Sequence, residues 1–85
     1  MNDKSIKSSL ARDQFMLQKA KEEWDAIDED FVLYGTMEYL KIPMKYEKTK
    51  FDKLPNRYQK RLAGWADYEL GYSDDWEEMQ EVVAQ

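Results

Sequence analysis

Apolar residues recur at alternating spacings of three and four along residues 5–27, which predicts an amphipathic helix. The stripe consists of Ile6, Leu10, Leu17, Ala20, Trp24 and Ile27. Asp13 interrupts it. Such a repeat suits packing inside a helical bundle or self-association through residues 6–27. We favour packing in the core, because Asp13 weakens a long coiled coil.

Phe15 does not belong to this stripe, since at 100° per residue it lies opposite Leu17 on the polar face. Its ring either packs against a returning segment or is exposed as an anchor for another protein.

Two patterns overlap in the next part of the chain. Apolar residues at helical spacing over residues 30–40 predict a short helix that ends before Pro43. Residues 40–46 also alternate between apolar and polar, as in an edge strand. We favour the helix, followed by an extended or irregular connection to about Lys53.

A third helix is predicted between Pro55, which suits its first turn, and Gly71, which suits its exit. Its apolar side consists of Leu54, Tyr58, Leu62, Trp65, Ala66 and Leu70. A different side carries basic residues and continues to Gly64 and Tyr68.

A short acidic helix capped by Ser73 or Asp74 completes the predicted elements. One of its faces is lined by Tyr72, Trp76, Met79 and Val83. Eighty-five residues form one domain at most. The predicted fold is therefore mostly α, a small single domain over 1–85 with three or four helices and an irregular or short extended basic connection.

Charge is strongly segregated along the chain, although the net charge is only −5. Lys41–Arg61, here called the basic segment, holds eight of the thirteen basic residues and two acids, a net charge of +6. Residues 22–30 carry six acids and no base, and residues 62–85 carry seven acids and no base. Either the basic segment neutralises these acidic flanks through surface pairs, or the opposite charges are displayed to partners.

Several kinds of chemistry are excluded or disfavoured by composition. The chain has no His and no Cys, which removes Ser-His-Asp and Cys-His nucleophiles and the usual zinc sites. Three scattered glycines form no phosphate-binding loop, and the acidic clusters do not match a calcium loop. We therefore predict no enzymatic activity, no catalytic residue, no metal and no cofactor. The longest apolar run, residues 31–34, is too short to cross a membrane, so we expect a cytoplasmic protein.

The basic segment has the composition that nucleic acid demands, because phosphates bind Lys and Arg and unstacked bases stack on aromatic rings. Its candidate partner contacts, with one tyrosine beyond it, are Lys45, Tyr46, Lys48, Lys50, Phe51, Lys53, Arg57, Lys60, Arg61 and Tyr68.

The acidic flanks provide a second candidate surface. Acidic helices can resemble a row of phosphates, and they can then occupy the basic channel of an enzyme that acts on nucleic acid. Its candidate contacts are Phe15, Glu22, Glu23, Asp25, Asp74, Asp75, Glu77 and Glu78.

These features together predict a small non-catalytic regulator that binds and blocks another macromolecule, such as a nucleic-acid-handling enzyme or toxin. In general character the chain resembles inhibitors and antidotes encoded by bacteriophages, although no motif carries that likeness. One alternative is direct binding of RNA or single-stranded nucleic acid through the basic segment. A second is a self-associating structural or assembly subunit. The expected partner is a protein, with RNA as the alternative.

Overall fold

The computed structural model describes the backbone of residues 3–84 and the side chains of residues 10–80. This part of the chain forms four α-helices and no strand. The helices are α1 (Asp3–Ala26), α2 (Asp30–Leu40), α3 (Asn56–Gly64) and α4 (Tyr72–Ala84). Two 3₁₀ turns, Met44–Tyr46 and Phe51–Lys53, interrupt the connection between α2 and α3, and one π-helical turn, Trp65–Glu69, follows α3. The mostly α fold is confirmed.

Helix α1 buries Met16, Ala20 and Trp24 against the other helices. Two of these belong to the predicted stripe, whereas Met16 does not. Leu10, which does belong to the stripe, is exposed. The side chain of Ile6 lies outside the described residues. The apolar stripe therefore identifies the inner face only for the C-terminal half of α1.

Helix α2 has the predicted bounds, and the edge-strand alternative for residues 40–46 is wrong. Lys41 adopts a left-handed conformation, with φ 58°, and ends the helix. The N–H of Ile42 then donates to the carbonyl of Met37 at 2.9 Å. The N–H groups of Tyr46 and Glu47 bond to carbonyls three residues back, inside a 3₁₀ turn. Because these donors are used locally, no ladder can form.

The inner side of α3 follows the prediction as far as Ala66 and then departs from it. The π turn closes with a hydrogen bond from the N–H of Leu70 to the carbonyl of Trp65. This wider turn inserts an extra residue and changes the direction of the side chains after it. Leu70, predicted to be buried, is exposed, and Asp67 is buried instead.

Helix α4 begins at Tyr72, directly after Gly71, where φ is 81°. This start lies before the predicted cap. Tyr72 contacts Glu23, and Trp76 packs against Phe15, so α4 runs antiparallel to α1. Trp76 is buried, whereas Met79 is largely exposed. The side chain of Val83 lies outside the described range.

Within residues 3–84, every helix is too short or too polar to span a membrane.

Candidate macromolecule-binding surfaces

Two arginines of the basic segment are positioned on the ring of Tyr58. The guanidinium carbon of Arg57 lies 4.8 Å from the ring centroid, and that of Arg61 lies 5.3 Å from it. Tyr46 packs beside Tyr58 at 5.3 Å, and the ammonium of Lys45 lies 5.3 Å from the ring of Tyr46. Aromatic rings attract cations without neutralising them. These side chains are therefore held in place with their charges uncompensated.

Arg61 also has a structural role, because its Nη1 donates to the carbonyls of Leu40 at 3.1 Å and Lys41 at 3.0 Å. These carbonyls belong to the C-terminal end of α2, where a cation is favourable. Arg57 and Lys60 make no such contact within the described part of the chain. We call Lys45, Arg57, Lys60 and Arg61 the basic surface.

The ion pairs among residues 10–80 do not neutralise the basic segment. Among the described side chains, three pairs form: Arg12–Asp67, Lys19–Glu22 and Lys21–Asp52. None uses a cation of the basic segment. That segment's own two acids are engaged from outside it, since Asp52 binds Lys21 and Glu47 accepts a hydrogen bond from Tyr34. Within residues 10–80, internal neutralisation by ion pairs is therefore not the role of these charges.

Other candidates from the basic segment lie elsewhere in the fold. Phe51 is only 3% exposed, so its prediction as a partner contact is wrong. Its 3₁₀ turn is held against α1, because its N–H donates to Asp25 Oδ1 at 2.9 Å. Lys48 and Lys50 line a separate groove beside Asp25. Lys53 is exposed in the same 3₁₀ turn as Phe51.

Acids from the two flanks meet around Tyr72. Its hydroxyl donates to Glu23 Oε2. This bond, with burial and the nearby charges of Glu23, Asp75 and Glu22, raises the pKa of Tyr72 to about 12. The acids of the two flanks thus share one surface, which we call the acidic surface. Asp74, Glu77 and Glu78 are also exposed on α4, at other positions around the helix.

Two candidates of the acidic group have intramolecular roles. Phe15 lies with its ring centroid 5.5 Å from that of Trp76 and with Lys19 Nζ 5.5 Å from its centroid. The exposed-anchor alternative for Phe15 is therefore wrong, and the returning segment that covers it is α4. Asp25 accepts the backbone hydrogen bond of the 3₁₀ turn described above.

The raised pKa of Tyr72 predicts a loss of stability in alkali. The unfolded chain ionises this phenol near its ordinary pKa of 10.0, and the folded chain only at about 12. Its contribution is therefore fully present below pH 10 and is lost as the pH rises towards 12. We expect Tyr72→Phe and Glu23→Gln each to flatten this fall, measured by urea unfolding from pH 9 to 11. An equally steep fall in both variants would contradict the assignment.

A polar pair that the sequence did not reveal lies between α1 and the π turn. Both terminal nitrogens of Arg12 donate to the carboxylate of Asp67, at 2.7 and 3.0 Å. Asp67 is 5% exposed, and the pair lines an open groove of about 480 Å³ that also contains Lys60 and Tyr68. The two residues are 55 positions apart, so no local spacing could have paired them. The one sequence signal is an acid inside an apolar run.

Tyr68 is the most exposed aromatic residue of the candidate set, at 78%. It lies in the π turn after α3, where it continues the side of α3 that carries Arg57, Lys60 and Gly64. A Cβ atom placed on Gly64 would meet nothing within 4 Å, so this face is open at its centre.

Metal binding finds no support among the described residues, where no three Asp or Glu side chains form a group that could hold an ion. In comparisons with protein-family models, curated proteins and solved structures, nothing matches this chain.

Proposed function

We propose that the protein is a small non-catalytic regulator that binds and blocks another macromolecule, a protein that handles nucleic acid. The basic surface and the acidic surface are the proposed contacts. Opposite charges on separate surfaces increase the rate of association and reject partners of the wrong charge pattern. A nucleic-acid-handling protein presents both signs, because its basic channel and its bound phosphates lie side by side.

One observation carries this proposal: the four cations of the basic surface lack carboxylate partners among the described side chains. Holding like charges close together costs free energy unless something opposes them. Acids are abundant in this chain, yet Glu22, Glu23 and Asp75 lie near Tyr72 instead. The charges are thus arranged for an external partner, and Tyr58 and Tyr46 fix the position of several of them.

Direct binding of single-stranded nucleic acid is the second candidate, and Tyr68 favours it. Exposed rings beside lysines and arginines provide stacking for bases and contacts for phosphates. Tyr68 and Lys60 line the same groove, and Gly64 leaves room for a base or sugar to approach. Arg12 and Lys60 in that groove are balanced by Asp13 and Asp67, so the groove has no net positive charge to attract a polyanion, which is why this function ranks second.

Affinity capture from a bacterial lysate, with and without nuclease, tests both functions. We expect one protein to be retained in stoichiometric amount after nuclease treatment and to be lost with Arg57→Glu/Lys60→Glu. The matched control, Lys48→Glu/Lys50→Glu, makes the same charge change in the same segment but off the basic surface, and should retain the partner.

Recovery of nucleic acid alone, removed by nuclease and by about 0.5 M salt, would replace the first function with the second. If the unaltered chain and both double variants retained the same proteins, that result would contradict both functions.

A further inference from the structure

The outer face of α2 carries an aromatic stripe that the fold leaves uncovered. Phe31, Gly35 and Tyr39 follow one another at intervals of four residues, so they lie on one side of the helix. Phe31 is 74% exposed and Tyr39 is 63% exposed. Met37, on the other side, is buried in the core. Helix α2 is therefore apolar on both faces, although only one face is buried within the described chain.

The π turn forms the second wall of a groove along this stripe. The groove has a volume of about 390 Å³ and contains Trp65 and Glu69 opposite the rings of α2. The hydroxyl of Tyr39 donates to Glu69 Oε1 at 3.0 Å, which fixes the ring across one end. A Cβ atom on Gly35 would meet nothing within 4 Å. The floor between the two rings is therefore bare backbone, open to an inserted side chain.

Acidic side chains outnumber cations around this groove. Glu69 lies in one wall, and Glu38 lies on α2 beside the stripe, in a neighbouring groove that also contains Lys41. Glu29 and Asp30 precede Phe31 at the N-terminal end. Two cations, Lys41 and Arg61, lie at the C-terminal end of α2, and neither lines the groove. An apolar centre with a negative edge is complementary to an apolar surface edged by Lys or Arg.

We propose that this groove, the α2 groove, is a docking site for a basic amphipathic helix of a partner protein. Large apolar side chains of that helix insert above Gly35, between Phe31 and Tyr39, and its lysines or arginines face Glu38 and Glu69. Aromatic anchors in such pockets supply most of the binding energy at protein interfaces. A second copy of this chain using the same face would bring two acidic edges together, which disfavours self-pairing.

This inference goes beyond the function proposed above, because the α2 groove is distinct from the basic surface. Substitutions of Arg57 and Lys60 that abolish binding at the basic surface would leave the α2 groove intact. Substitutions in the α2 groove would likewise leave the basic surface intact.

The test uses two designed amphipathic peptides of about 14 residues, four helical turns, one of Leu and Lys and one of Leu and Glu in the same pattern. Each is titrated into the ¹⁵N-labelled full chain and followed by NMR. We expect the Leu/Lys peptide to shift the Gly35 amide and the Trp65 indole N–H. Phe31→Ala/Tyr39→Ala should weaken its binding at least tenfold, whereas Tyr68→Ala, an equally exposed aromatic elsewhere, should not.

A charge variant provides the second measurement, independent of any effect of the ring deletions on folding. Glu38→Lys/Glu69→Lys should weaken binding of the Leu/Lys peptide and create binding of the Leu/Glu peptide. Equal binding of both peptides by the unaltered chain would overturn the proposal. So would shifts confined to the acidic surface around Tyr72, or concentration-dependent shifts of Gly35 without peptide, which would indicate a second copy.

Discussion

Replacing Phe51 with alanine is expected to lower the free energy of unfolding by about 3–5 kcal/mol, the usual cost of deleting a buried phenylalanine ring. The ring is 3% exposed and belongs to the central apolar cluster with Trp24, Leu54 and Leu62. Equilibrium urea unfolding followed by tryptophan fluorescence measures the change.

Tyr68→Ala is the matched control, because Tyr68 was predicted as a contact of the same kind and is exposed. Its unfolding free energy should change by no more than about 0.5 kcal/mol. If Phe51→Ala were equally neutral, the turn would not be packed on α1, and Phe51 would return to the set of candidate partner contacts.

Local periodicity was sufficient for the parts of the fold that depend on neighbours along one helix. The bounds of α2 followed from apolar spacing and from Pro43, and the inner side of α3 followed from residues such as Tyr58 and Leu62. Both rest on contacts that repeat every three or four residues, which the sequence displays directly.

The connection between α2 and α3 could not be derived in this way, because contacts distant in sequence hold it. The indole nitrogen of Trp24 donates to the carbonyl of Thr49 at 2.8 Å, and Gln59 Nε2 donates to the carbonyls of Phe51 and Leu54, both at 3.0 Å. Phe51 is therefore buried by tertiary contacts, whereas its neighbours in sequence indicated only a basic, exposed stretch.

The candidate surfaces could be predicted only in part, because contacts between residues distant in sequence also form them. Composition revealed that charges of one sign are grouped along the chain, and the described ion pairs are consistent with their display. It did not reveal that Glu23 and Asp75, distant in sequence, lie around one tyrosine. The α2 groove was also missed, because Trp65 joins it only through the π turn.

The second large effect is expected at the polar pair beside that turn. Arg12→Ala should lower the free energy of unfolding by about 2–3 kcal/mol, because it leaves the carboxylate of Asp67 buried without its cation. Removing one partner of a fully buried pair costs about 3–5 kcal/mol. The lower figure applies because the Arg12 side chain is 34% exposed, so water can partly replace it. An 85-residue domain has a total stability of roughly 4–13 kcal/mol, so this loss is easily measured by urea unfolding.

Lys21→Ala is the matched control, since Lys21 and Asp52 also lie 2.7 Å apart but the carboxylate of Asp52 is exposed, whereas that of Asp67 is buried. That change should lower the free energy of unfolding far less than Arg12→Ala does, because water screens both charges. A double-mutant cycle then assigns the cause. If the unpaired carboxylate is responsible, Arg12→Ala/Asp67→Ala will be more stable than Arg12→Ala alone. If the two losses simply add, packing of the Arg12 side chain is what holds α1 to the π turn.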